Sequence, residues 1–225
     1  MNQCLSCGQS MDTTVSWGNW LTFKRDQVIC SNCSLYMEKI TGSRCSICSR
    51  PSELTICHDC TEWNQLGEVI QFNYSVFLYN EWMKNIISLW KFRGDYVLRE
   101  IFRDELKYAF DRVFIDQKKE LILVPVPLSD KRMKERGFNQ ALALAEMLDM
   151  PIQQAIGRKV SDKQSKKSRV ERLKSTNPFY SSSPIRKNVV LIDDIYTTGT
   201  TIRQAASILL ENGCPEVYAF TLLRG

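Results

Sequence analysis

The stretch Val189–Thr201, VVLIDDIYTTGTT, restricts what this chain can fold into more than any other part of it. Val189–Ile192 is a short continuous apolar run, the mark of a strand buried on both faces. Two adjacent carboxylates follow, Asp193 and Asp194, then a turn rich in Thr and Gly. A helical pattern then runs over Thr201–Asn212 and stops at Gly213. A buried strand that feeds a loop and then a helix belongs to a parallel sheet. Open sheets of that kind place their ligands outside the carboxyl ends of the strands.

The loop Asp193–Thr200 carries its own chemistry. Thr197, Thr198, Thr200 and Thr201 offer hydroxyls, and Gly199 permits close approach of the backbone to a ligand. Free N–H groups at the start of the helix make an anion site. One end of the loop suits a phosphate, and the acids at the other end accept hydrogen bonds from vicinal hydroxyls. A ribose 5-phosphate satisfies both. The sequence has no Gly-Lys-Ser/Thr and no Gly-x-Gly-x-x-Gly, which sets aside the usual nucleotide loops. Capping one helix uses a single Asp or Thr; two acids and four threonines around one glycine exceed that need.

Upstream, the pattern predicts a strand within Val69–Leu78, helices over Asn80–Lys91 and Tyr96–Phe110, a buried strand at Leu121–Val126 and a helix at Ala141–Leu148. A last strand is expected over Val217–Leu222. Gly157–Ser183 is polar, basic and without period, and reads as a long functional loop. The expected fold is α/β, a parallel sheet with helices on both faces.

Eight of the nine cysteines lie in the first 60 residues as four Cys-x-x-Cys pairs: Cys4/Cys7, Cys30/Cys33, Cys45/Cys48 and Cys57/Cys60. No basic and apolar leader opens the sequence, so we expect no export signal, reduced thiols and metal ligation in place of disulfides. Four thiolates make a closed tetrahedral Zn²⁺ site, so two structural Zn²⁺ ions are expected. Cys48 and Cys57 are separated by 8 residues, one hairpin, which favours sequential over interleaved pairing. His58, the only histidine, is not needed as a ligand, and Cys214 reads as an inert thiol. Residues 1–64 are then a zinc-binding module with two Cys4 sites and 65–225 an α/β domain. Chelation should melt the module first and leave the second domain its own transition.

Net charge is +5, yet between Asp130 and Lys187 fourteen Lys and Arg stand against six Asp and Glu, a surplus of eight. The remaining sequence is therefore at −3. Arg132, Arg136, Arg158, Lys163, Lys166, Lys167, Arg169 and Arg172 are candidates for holding pyrophosphate or tracking a nucleic acid backbone, with Phe138 and Phe179 as stacking aromatics. No segment approaches the 18 or so apolar residues of a membrane span, so no membrane insertion is expected.

With these residues in hand, Val189–Thr201 resembles the phosphoribosyl-pyrophosphate motif of type I phosphoribosyltransferases. Lys91-Phe92-Arg93-Gly94-Asp95, Pro125-Val126-Pro127-Leu128 and Arg136-Gly137-Phe138-Asn139-Gln140 narrow the resemblance to the ComF family of competence proteins, in its ComFC group. Gln164, Arg169, Arg172, Asn177 and Phe179 extend it. The resemblance implies a pyrophosphate-binding turn near Leu128–Arg132 and a cytoplasmic role in natural transformation, peripheral at the inner face of the membrane through partners. Incoming single-stranded DNA and a ComFA-type helicase/translocase ATPase would be those partners. The alternative is an active phosphoribosyltransferase, using phosphoribosyl pyrophosphate and Mg²⁺ on an acceptor that the sequence does not identify.

Overall fold

The structure is a computed structural model that describes residues 2–11, 27–92, 95–159 and 177–225. Its centre is a four-stranded sheet in the order β3 (Asn73–Leu78), β8 (Val217–Arg224), β7 (Asn188–Tyr196), β4 (Leu121–Pro125), all parallel. Side chains alternate across a strand, and here the alternation sorts the core into two layers. Val190, Ile192, Tyr218 and Phe220 face one layer; Val189, Leu191, Val217 and Ala219 face the other.

The first layer is built from α3 (Glu81–Phe92), α4 (Arg103–Val113) and α6 (Gln140–Ala145). Trp90, Phe102, Phe110 and Leu144 are fully buried in it. A 3₁₀ helix at Tyr96–Phe102 opens the segment expected as one helix over Tyr96–Phe110, and α4 follows it directly. The second layer is covered by α7 (Thr200–Glu211), whose Ile202, Ala205, Ala206 and Leu209 form one face at i, i+3, i+4, i+7 spacing.

Cys45, Cys48, Cys57 and Cys60 pack in this same second layer with Val189, Tyr196 and Ile202. Residues just before them and within the first knuckle also pair with the outer edge of β3. Ile40 N–H donates to Val76 O at 3.1 Å, Leu78 N–H to Glu38 O at 2.8 Å and Asn73 N–H to Ile47 O at 2.7 Å. A sheet edge otherwise presents unpaired backbone groups; here the cysteine-bearing segment covers it.

Two local details depart from the pattern reading. The strand expected to end at Ile192 continues to Tyr196, because Asp193, Ile195 and Tyr196 keep their partners Thr221, Leu223 and Arg224 on β8. Asp193 and Asp194 therefore sit on a strand. The segment read as a loop from Gly157 to Ser183 begins and ends in an antiparallel pair, β5 (Ile156–Arg158) with β6 (Phe179–Ser181). Lys163, Lys166, Lys167, Arg169 and Arg172 lie outside the described residues.

Candidate functional site

The carboxyl ends of β4 and β7 open on one mouth. β7 carries Asp193 and Asp194 to it, and the chain then turns through Thr197 and Thr198, both exposed, into α7. Gly199 makes the turn with φ +80°, in the left-handed region, and any side chain there would strike the Tyr196 ring. Only glycine fits such a position without strain. Thr198 Oγ1 and Thr200 Oγ1 lie 2.9 Å apart, and Thr200 N–H donates to Thr198 Oγ1. Ile195 to Ile202 line a shallow cradle around these threonines.

The two acids are not equivalent. Asp194 is ion-paired with Lys91 from the end of α3. Asp193 is pushed up to about 8, first by burial and then by the Asp194 charge, while its Oδ1 accepts the Asp194 N–H at 2.9 Å. A raised Asp193 favours its protonated form, so its carboxyl can donate a hydrogen bond as well as accept one.

Three of the basic residues expected from sequence meet at this mouth. Burial lowers the pKa of Arg136, which feels Asp194 and Arg132. Burial also lowers that of Arg158, which feels Arg132 and Asp193. Arg136 donates to Gln140 Oε1 at 2.8 Å and lies 5.5 Å from the Phe92 ring centre. The Arg136–Gln140 motif is the joint between two short helices. Gly137 ends α5 (Asp130–Arg136) at φ +77°, and Asn139 caps α6 by accepting from Ala141 N–H while donating to Val126 O. The turn from β4 into α5 is capped by Ser129, whose Oγ accepts from Arg132 N–H.

Phe138 and Phe179 are not stacking platforms, contrary to expectation. Phe179 is buried beneath Arg158, and Phe138 packs edge-on to Tyr96 at 5.0 Å. Among the described residues, Phe92 is an exposed aromatic at the mouth. Lys91 and Phe92 stood in the sequence only as family markers; the helical run ending in Lys-Phe gives no local sign of its partner 103 residues on.

The eight paired cysteines form two groups, Cys4, Cys7, Cys30, Cys33 and Cys45, Cys48, Cys57, Cys60, with the sulfurs in each group within 4.8 Å of one another and no disulfide. The sequential pairing is thus the observed one. A tetrahedron with metal–sulfur bonds of about 2.3 Å has edges of about 3.8 Å. Cys7 Sγ to Cys30 Sγ measures 3.9 Å and Cys48 Sγ to Cys57 Sγ 3.7 Å, so the donor sets fit such an ion. Backbone N–H groups of Cys30 and Cys57 donate to the Cys4 and Cys45 sulfurs, both at 3.3 Å. After each first knuckle the chain turns through a left-handed residue, Gly8 (φ +74°) and Ser49 (φ +59°). Ser49 is tied to β3 by donating to Asn73 O at 2.8 Å and accepting from Ser75 N–H. His58 is exposed outside the four-sulfur set, and Cys214 is buried with its thiol directed at Lys187 and Glu216 carbonyls.

Residues 108–225 match the phosphoribosyl transferase domain family, in keeping with the parallel sheet and its two helical layers. Competence protein ComFC of Bacillus subtilis (strain 168) is 40% identical over 228 residues, covering 98% of this chain and 94% of that protein. Competence protein ComFC of Streptococcus pneumoniae (strain ATCC BAA-255 / R6) is 35% identical over 225 residues, covering 99% and 100%. DNA utilization protein YhgH of Escherichia coli O157:H7 is 31% identical over 110 residues, 45% of this chain and 48% of that protein. Among solved structures, a hypoxanthine phosphoribosyltransferase from Staphylococcus aureus matches 55% of this chain and 62% of that one at 18% identity, with a TM-score of 0.36.

Proposed function

Because the chain belongs to the phosphoribosyl transferase domain family and, over 98% of its length, to the ComFC competence proteins, we propose that it acts in DNA uptake, binding and handling incoming single-stranded DNA in the cytoplasm with a domain that holds a ribose phosphate. The observation that carries the ligand reading is the juxtaposition of Asp193 and Asp194 with the Thr197–Thr201 cradle under Arg132, Arg136 and Arg158. The acids take ribose hydroxyls, the cradle takes the 5-phosphate, and the arginines take a pyrophosphate or the next phosphates of a strand. Among the described residues no helix is long and apolar enough to cross a membrane. On this reading the protein reaches the inner face of the membrane through partners, and a ComFA-type helicase/translocase ATPase is the one that family membership supports.

Residues 1–64 serve as the zinc-holding module of this reading and 65–225 as its ligand domain. The four-thiolate donor sets suit Zn²⁺, which would act as a structural tie at both sites. The second reading, a working phosphoribosyltransferase, draws on the same mouth. Mg²⁺ would neutralise pyrophosphate there while Asp193 and Asp194 hold the ribose.

Binding of a 30-mer single strand, measured against salt, tests the first reading. Each neutralised phosphate adds about 0.7 to the slope of log K against log salt. Engagement of several cations gives a slope of magnitude on the order of 3. Lys166→Glu, Lys167→Glu and Arg169→Glu together should remove most of the binding. A protein that fails to retain the strand at low salt, yet releases pyrophosphate from phosphoribosyl pyrophosphate with a nucleobase, supports the enzyme instead.

A further inference from the structure

The cradle's shape is set from outside the cradle. Trp63, on α2 (His58–Gln65), donates its Nε1–H to Thr198 O at 3.0 Å. Arg224, the last residue of β8, donates through Nη1 to Tyr196 O at 3.1 Å and to Thr197 O at 3.0 Å. The carbonyls of three successive residues are thereby turned into the protein and fixed. In a planar trans peptide the C=O of one residue opposes the N–H of the next. Fixing the carbonyls of Tyr196, Thr197 and Thr198 therefore aims the N–H groups of Thr197, Thr198 and Gly199 outward together, and successive N–H groups so directed make an anion-binding nest.

Both holding groups are rooted in the second cysteine cluster. Trp63 follows Cys60 by three residues on the helix that begins immediately after Cys57. Arg224 reaches Cys48 Sγ with Nη2 at 3.6 Å, and its guanidinium carbon lies 5.2 Å from the centre of the Tyr196 ring. Arg203, buried on α7, lies 4.7 Å over the Trp63 ring. A divalent ion on four thiolates leaves a net charge of −2, and a buried charge demands a partner. Arg224 stands where it balances that charge and orders the cradle with the same guanidinium.

We propose that the second cysteine cluster is the anchor of the ribose-phosphate nest, with Trp63 and Arg224 as its positioning residues, so that metal at Cys45, Cys48, Cys57 and Cys60 sets the affinity of the cradle for a phosphate-bearing ribose. The affinity part rests on the ligand reading above; the anchoring part does not. Without metal the first turn of α2 loses its tie, Arg224 loses its counter-charge, and the Thr197 and Thr198 carbonyls are released, while Tyr196 O keeps only the Gly225 N–H.

Trp63→Phe in the full chain tests this, because it keeps the ring under Arg203 and removes one N–H. Amide exchange is followed at Thr200 and Arg203, which are bonded to Thr198 Oγ1 and Gly199 O in the first turn of α7. Exchange at both should rise in Trp63→Phe at unchanged metal content, rise in Arg224→Lys, and rise in the metal-stripped protein. Ribose 5-phosphate, titrated calorimetrically, should bind about threefold to tenfold more weakly to Trp63→Phe, the worth of one neutral hydrogen bond. Unchanged exchange at Thr200 and Arg203 in Trp63→Phe, or after metal removal, overturns the proposal. If exchange responds as expected but the unaltered protein binds no ribose 5-phosphate, the anchoring stands and the ligand reading falls.

Discussion

Asp193 and Asp194 are adjacent in sequence, yet only Asp194 is paired with Lys91, and burial keeps the proton on Asp193 up to about pH 8. An aspartate in the unfolded chain ionises near pH 4, so folding takes up a proton between roughly pH 4 and 8. A carboxyl whose folded pKa is raised contributes stability that is present below the unfolded value and lost as pH rises through the folded one. Stability measured by urea unfolding should fall from pH 5 to pH 9 by this route, and Asp193→Asn should flatten that part of the profile. Asp194→Asn acts differently: it removes a charged acceptor and the Lys91 pair, and should weaken ribose 5-phosphate binding by about 1.5–3 kcal/mol. Gly199→Ala places a Cβ at φ +80° against the Tyr196 ring. Strain of this kind costs about 1–3 kcal/mol. At about 2–4 °C per kcal/mol for a chain of this size, the melting temperature should drop by several degrees.

At the scale of elements, the parallel strands, α7 and the cysteine knuckles were legible because each carries a local signal: an apolar run, a 3.6-residue stripe, a two-residue spacing. The end of β7 was not. Acids interrupt the apolar run at Asp193, while the backbone keeps pairing because β8 offers partners as far as Arg224. α5 was also missed. None of its side chains is buried, so it has no apolar stripe; only Ser129 before it and Gly137 after it mark its ends. The second cysteine cluster shares a core with β7, β8 and α7, which changes the expectation of an independently melting module. Chelation should now lower the thermal transition of the α/β sheet as well. Calorimetry with and without chelator reads this directly: an unshifted second transition would mean that the shared layer contributes nothing to the sheet.

Across the whole molecule, the contacts that join its parts leave no trace in local pattern. Trp63 and Thr198 are 135 residues apart, Cys48 and Arg224 are 176 apart, and each looks ordinary among its neighbours in sequence. A pairing of that range becomes visible only when the fold brings α2 against the end of β7. The mouth was half legible for the same reason, since Asp193–Thr201 announces itself and Lys91 does not. The order of the sheet adds something about how the chain comes into being. β8 is synthesised after every other strand yet sits between β3 and β7. Until it leaves the ribosome, both neighbours wait with an open edge, and Cys48 waits for the arginine that completes its surroundings. Nascent chains are thus unfinished at their middle and not at their tail. A chain stopped before Val217 should collect in the insoluble fraction with two sticky strand edges, whereas loss of the first eleven residues, whose strands β1 (Asn2–Gln3) and β2 (Ser10–Met11) form a ladder with each other and not with the central sheet, leaves that edge closed.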